Sequence, residues 1–263
     1  VIFAMRWDAE TLWEQVQPLL PGFTVEVLPQ IDSTNTELMR RARAGQLEPT
    51  LLIAEHQTAG RGRLGREWFS EPAGALSFSL GLPLSPHDWS GLSLAVGVSL
   101  ARSLHPDLRL KWPNDLWLHE RKLGGILIET ASFAGVRFVV IGVGINVAPR
   151  PADGLSTPPA CLQELMPDMD AAGALHRLAL PLVQALQRFE AEGFAPFVAP
   201  FQALDALAGR EVRLSDGTTG HARGVDGSGA LQVLTSQGLQ KITSAEFSVR
   251  PMAQPETPTC SEP

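Results

Sequence analysis

Apolar residues along the chain switch repeatedly between helical spacing and strand alternation, so the pattern predicts helices and strands mixed throughout. Leu12, Trp13, Val16 and Leu19 share one side of a helix over Asp8 to Leu20, ended by Pro21-Gly22. Phe23 to Leu28 alternates as a strand, and Thr34 with Glu37 reads as a capping box opening a helix that stops at Gly45. Leu51 to Ala54 and Ala75 to Leu80 read as strands, with Glu55 to Gly65 an aperiodic loop between them. Leu92 to Leu104 fits an amphipathic helix despite Gly97, and Leu108 to Lys111 a strand stopped by Pro113. Ile126 to Thr130 and Arg137 to Val143 form a hairpin about Ala134-Gly135. A proline-rich loop over 149–160 precedes a long helix from Asp170 to Glu192, capped by Gly193 and kinked at Pro181.

Past Gly209 the texture changes. Short strands are punctuated by Asp216-Gly217, Asp226-Gly227 and Gln237-Gly238, the hairpin signals of a small β-barrel of about SH3 size. The last residues, with three prolines after Gln254, read as a disordered tail. The pattern therefore predicts an α+β protein: a helical extension over 1–22, a mixed-sheet domain flanked by helices over 23–207, a barrel over 208–252 and a tail over 253–263.

The length of 263 residues suits one large and one small domain, and 44% hydrophobic residues suffice for a real core. A formal charge of −7 argues against a general nucleic-acid binder. Cys161 and Cys260 lie far apart and read as free thiols of a reducing cytosol. No apolar run approaches the ~20 residues that span a bilayer, and Val1 to Met5 is too short for a signal-peptide core. A cytoplasmic location is expected.

Three stretches carry candidate chemistry. In Gly60-Arg61-Gly62-Arg63-Leu64-Gly65-Arg66, glycines let backbone approach a ligand while arginines match phosphate or carboxylate oxygens. The bland alternative is a solvated Arg/Gly loop, and no Gly-Lys-Ser/Thr follows to make a Walker loop. In Lys111-Trp112-Pro113-Asn114-Asp115 and Lys122-Leu123-Gly124-Gly125, two lysines flank a turn, able to hold an oxyanion or merely to snorkel. In Gly142-Val143-Gly144-Ile145-Asn146 no third glycine and no helix follow, so a strand end near a ligand is favoured over a dinucleotide fold, with Asn146 at its mouth. Ser33-Thr34-Asn35 reads as a helix N-terminus that can also meet polar ligand atoms. The six histidines show no metal-ligand spacing, and no Ser/His/Asp system is discernible.

Together these motifs, in this order and with Asp32 before the first and Trp68 behind the Arg/Gly loop, resemble the biotin protein ligase family from about Val25 to Arg250. The resemblance implies a class II synthetase-like catalytic sheet and ATP-dependent, AMP-forming transfer of biotin to a lysine of a carboxylase's biotin carboxyl carrier subunit. It implies that Ser33, Thr34, Asn35, Gln57, Gly60, Arg61, Gly62, Arg63, Lys122, Gly124, Gly142 and Gly144 meet biotin or its adenylate. Arg66, Trp68, Asn146 and Arg250 would lie at the nucleotide, and Lys122, Arg63, Lys111 and Asp115 would serve catalysis. Mg²⁺ would come with ATP rather than sit in a protein cluster.

The resemblance further implies a monofunctional enzyme, because one helix before Gly22 is too little for a DNA-binding winged helix; no specific DNA or membrane partner is expected, and homodimerisation is left open. Two rivals stand beside this reading: a lipoate or octanoate ligase, whose Arg-Arg and Gly triplet are absent, and a non-catalytic biotin sensor. A dehydrogenase read from Gly-x-Gly lacks the rest of its fingerprint.

Overall fold

The structure is a computed structural model that describes residues 7–69, 73–133, 135–150, 158–243 and 249–252. Its elements run α1 (Ala9–Val16), β1 (Thr24–Ile31), α2 (Thr34–Arg43), β2 (Thr50–Gln57), β3 (Ala75–Pro83), α3 (Leu92–Leu104), β4 (Arg109–Lys111), β5 (Asp115–Leu118), β6 (Arg121–Phe133) and β7 (Val136–Asn146). Then follow α4 (Ala171–Glu192), α5 (Val198–Leu204), β8 (Glu211–Leu214), β9 (Thr219–Val225), β10 (Leu231–Thr235), β11 (Gly238–Ile242) and β12 (Val249–Pro251).

The first seven strands form one mixed sheet in the order β1-β2-β3-β7-β6-β5-β4, parallel only between β1 and β2. Alternation along the strands divides its two faces. Leu51, Ile53, Val139 and Ile141 join the main core with α1, α3 and α4. Leu52, Phe138 and Val140 instead pack with Leu38, Met39 and Ala42 of α2. The expected α+β sheet flanked by helices is therefore present.

The last five strands form an antiparallel sheet in the order β11-β10-β9-β8-β12, and the three hairpin signals sit between its successive strands. The main core continues into it through Val212, Leu214, Ala222, Leu231 and Val249. Trp112 Nε1 donates to the Gly229 carbonyl at 3.1 Å. A Cβ on Gly229, whose φ is +79°, would fall 2.8 Å from the Gly91 Cα, so the two backbones touch where no side chain fits.

Several expectations need correction. The first helix ends at Val16, well short of Leu20. Ser33, not Thr34, is the N-cap of α2, its hydroxyl accepting from the Thr36 N–H, and Glu37 pairs with Arg40 and Arg41 instead of closing a capping box. β2 extends to Gln57, absorbing residues assigned to the loop. β6 and β7 extend through both glycine motifs, so Lys122, Gly124 and Gly144 also lie within strands. β5 was not expected: it joins β6 through His119 and Glu120, both with positive φ, a turn that ordinarily selects Asn-Gly. α4 continues through Pro181 from its Asp170 cap to Gly193. Cys161 is buried and free. The tail, Cys260 and residues 151–157 of the proline-rich loop lie outside the described residues.

Candidate active site

The site begins as missing side chains on one face of the sheet. Ser79 on β3 pairs with Gly142 on β7, which pairs with Leu127 on β6. Two residues along, Ser77, Gly144 and Gly125 pair in the same way. Because alternate residues share a face, Ser77, Ser79 and the glycines at 125, 142 and 144 leave a shallow trough where α2 begins. Loop residues roof it to give a cavity of about 920 Å³, its open mouth included.

The glycines of β7 are required by protein side chains. A Cβ on Gly142 would stand 2.2 Å from Asn35 Oδ1, and one on Gly144 2.3 Å from the Trp68 indole. Trp68 Nε1 donates to Ser77 Oγ at 3.1 Å.

At the closed end, the first turn of α2 presents Ser33, Thr34 and Asn35, all buried. Gln57 Oε1 accepts from the Thr34 N–H at 2.8 Å. The Thr34 and Ser79 hydroxyls lie 2.6 Å apart, and Ser79 donates to Asn35 Oδ1 at 2.6 Å. Asn35 Nδ2 donates to the Leu127 carbonyl and to Glu129 Oε2. Such a connected network fixes side-chain orientation in advance of a ligand.

The Arg/Gly loop forms the roof and is a laddered turn, not an open coil. Trp68 N–H donates to the Gly60 carbonyl, Gly62 N–H donates to the Arg66 carbonyl, and the backbones of Arg61 and Glu67 pair antiparallel across the loop. Leu64 takes φ 57° at the tip and is two-thirds exposed. Arg61 pairs with Glu129, and Arg63 Nη1 donates to Asn114 Oδ1 at 3.2 Å. Burial pushes the Arg63 pKa down, with Asp115 opposing and Arg66 adding to the shift.

The open end is a charge triad. Asp115 Oδ1 lies 2.8 Å from Lys122 Nζ, and its Oδ2 3.9 Å from Lys111 Nζ. Lys111 also sits over the Trp117 ring at 5.2 Å. Burial depresses the Lys111 pKa; Asp115 raises it, while Lys122, Arg66 and Arg250 lower it further. Among the described residues no group of three or more His, Cys, Asp or Glu could hold a metal ion. The arrangement suits a ligand with a neutral polar ring at one end and negative charge toward the other.

Residues 27–146 match the model of the Biotin/lipoate A/B protein ligase family, and residues 208–250 that of the Biotin protein ligase C terminal domain. The bifunctional ligase/repressor BirA of Escherichia coli is 41% identical over 251 residues, covering 90% of this chain and 77% of that protein. The chain belongs to the biotin protein ligase family. The biotin--[acetyl-CoA-carboxylase] ligase of Paracoccus denitrificans is 34% identical over 84% of this chain and 98% of its own. Among solved structures, the Aquifex aeolicus biotin protein ligase in complex with biotin and ATP superposes with a TM-score of 0.74 and 31% identity, over 87% of this chain and 99% of that one.

Most expected site residues of the ligase meet in the one cavity: Ser33, Thr34, Asn35, Gln57, Arg61, Gly62, Arg63, Arg66, Trp68, Lys111, Asp115, Lys122, Gly142 and Gly144 line it. Four do not. Gly60 sits behind the roof, where a Cβ would strike the Trp68 carbonyl at 2.4 Å, and Gly124 is needed against the Gly144 carbonyl at 2.4 Å. Asn146 is not at a mouth: it is buried, donating to the Ala160 carbonyl at 3.1 Å. Arg250 stands on β12 outside the cavity wall, although its neighbour Val249 is part of that wall and its charge is felt at Lys111.

Sequence reasoning missed Ser77, Ser79, Asn114 and Glu129 of the ligase. For the serines a signal existed: two hydroxyls at strand spacing within the otherwise apolar run Ala75 to Leu80. An acid at position 129, inside a strand, was a second.

Proposed function

We propose that this ligase activates biotin with ATP to biotinyl-5′-AMP and transfers the biotinyl group to a lysine of a carboxylase's biotin carboxyl carrier domain. In the first step a biotin carboxylate oxygen attacks the α-phosphorus and pyrophosphate leaves. In the second, the acceptor amine attacks the mixed anhydride, loses a proton and releases AMP. Neither step needs an enzyme nucleophile, and catalysis rests on positioning and charge.

The observation that carries the reading is the mixed lining of one cavity, with the neutral hydrogen-bonding groups Ser33, Thr34 and Gln57 in one part, Lys111 and Lys122 around Asp115 in another, and Arg61 and Arg63 in the roof over it. Ser33, Thr34 and Gln57 would meet the ureido ring, and Asn35 would hold the frame around it. Arg61, Gly62, Arg63 and Lys122 would meet the carboxylate and phosphate. Arg66 and Trp68, with Arg250 from the barrel, would lie toward the nucleotide.

Mg²⁺ usually keeps waters and phosphate oxygens and takes one or two carboxylates. Asp115 and Glu67, both on the cavity wall, fit that modest demand when the ion arrives on ATP. The chemistry it would supply there is neutralisation of charge on the triphosphate. Asp115 would otherwise orient the acceptor amine.

Domains over 23–207 and 208–252, a cytoplasmic location, and the absence of an operator-DNA ligand for these residues complete the reading, with charge −7 supporting the last. No helix among the described residues is long and apolar enough to cross a membrane. The decisive assay is incorporation of labelled biotin into a purified biotinyl domain. Label should enter one lysine only with ATP present, and labelled lipoate should not enter. Incorporation of lipoate in place of biotin would favour the lipoate-ligase rival, and tight biotin binding with no incorporation the sensor.

A further inference from the structure

Glu129 lies one strand repeat beyond Leu127 on β6, on the face that carries the trough. Its carboxylate does two things at once. Both oxygens accept from Arg61 Nη2, at 2.7 and 2.6 Å, and Oε2 also accepts from Asn35 Nδ2 at 2.9 Å. One side chain thus ties the roof loop to the helix terminus at the closed end of the cavity.

The geometry of the contact is selective. Glu129 engages only Nη2, so Nη1 and Nε of Arg61 take no part in that pair, and Arg61 still lines the cavity. On the other side, Asn35 spends both amide protons on Glu129 and the Leu127 carbonyl, which directs its Oδ1 to the Ser79 hydroxyl. From Ser79 the chain of bonds runs to Thr34 and Gln57. An exposed ion pair alone contributes little to stability. This pair is joined to a buried network, and its worth lies in orientation.

We propose that Glu129 is a positioning residue for adenylation, aiming the Arg61 guanidinium at the developing phosphate charge while locking Asn35 at the biotin ring. The proposal rests on the reading of Arg61 as a contact to the adenylate. A carboxylate so placed sets the arginine's direction without touching substrate, and losing that direction costs rate in the step where charge develops.

Two substitutions separate the two roles. Glu129→Gln keeps the shape and an oxygen for Asn35 but removes the charge that holds Arg61. It should lower kcat for pyrophosphate release about tenfold while leaving the KM for biotin within about twofold and the melting temperature unchanged. Glu129→Ala removes both contacts and should raise the biotin KM as well. In a double-mutant cycle, Arg61→Ala with Glu129→Gln should adenylate no more slowly than Arg61→Ala alone, because the two groups act through one contact. A wild-type kcat for Glu129→Gln beside an impaired Arg61→Ala overturns the role of Glu129 and leaves that of Arg61 standing. A wild-type rate for Arg61→Ala overturns both. Fully additive losses, or a kcat loss that tracks a fall in melting temperature, reduce Glu129 to a structural residue and also overturn the proposal.

Discussion

One carboxylate serves two ammonium groups: Asp115 lies 2.8 Å from Lys122 Nζ through Oδ1 and 3.9 Å from Lys111 Nζ through Oδ2. Burial already pushes the Lys111 pKa down, and Asp115 is the group that opposes the shift. Lys111 is useful to a phosphate only while charged, so activity should fall as pH rises through its depressed pKa. Removing the opposing carboxylate must depress that pKa further. Asp115→Asn should therefore move the alkaline limb of the adenylation profile to lower pH. An unmoved limb would show that Lys111 does not set it.

Lys122 is the more exposed of the two lysines, and its paired carboxylate keeps Lys111 when it is removed. Lys122→Ala should leave the melting temperature within a few degrees of wild type. Adenylation should drop by about 10²–10³, as for loss of one donor aimed at a reacting oxyanion. Single-turnover pyrophosphate release gives the number, and a loss below about threefold would remove Lys122 from the reacting centre.

Gly142 and Asn35 cannot both keep their places if a methyl is added, since the new Cβ would lie 2.2 Å from Oδ1. Gly142→Ala should weaken biotin binding and cost about 1–3 kcal/mol of stability through overpacking. Shortening the partner, in Gly142→Ala with Asn35→Ser, should recover the melting temperature but not the binding. Calorimetry on both variants checks this, and normal biotin affinity in the single variant would contradict it.

How far the sequence anticipated this protein depended on what each signal was made of. The α3 boundaries emerge residue for residue because an apolar face fills Leu92 to Leu104. β6 and β7 outrun their expected ends at Gly124-Gly125 and at Gly144 to Asn146, where glycines that ordinarily punctuate a strand interrupt the apolar pattern although Ile145 continues it. β5 escaped notice because His119-Glu120 carries none of the usual residues for a turn of positive φ. The motif cations were readable, but their convergence is a product of strand register. Gly60, Gly124 and Gly142 look alike in sequence and answer to different neighbours: a carbonyl, another carbonyl and an asparagine side chain.

Asp205 lies where the chain after α5 covers the free edge of β4, with the Ala206 N–H donating to the Leu110 carbonyl. Its Oδ1 accepts from the Leu207 N–H at 2.8 Å, while Oδ2 is buried without a partner among the described residues. Burial raises its pKa from 3.8 to about 6. Between those values the folded protein holds a proton that the unfolded chain releases, so stability falls as pH climbs through the window and stays reduced above it. Asp205→Asn should thus raise the melting temperature at pH 8, by an amount equivalent to about 1–2 kcal/mol, and leave it unchanged at pH 4. Equal melting temperatures for the two proteins at pH 8 would refute a strained carboxylate.

In the two-step mechanism, charge and positioning in this cavity make biotinyl-5′-AMP before any acceptor arrives. The direct measurement is pyrophosphate release from stoichiometric protein, labelled biotin and MgATP with no acceptor domain. The protein, freed of ATP by rapid gel filtration, is then mixed with a purified biotinyl domain. One pyrophosphate per protein, followed by transfer of the retained label without further ATP, is the predicted result. Pyrophosphate release that appears only when acceptor is present would contradict the two-step account.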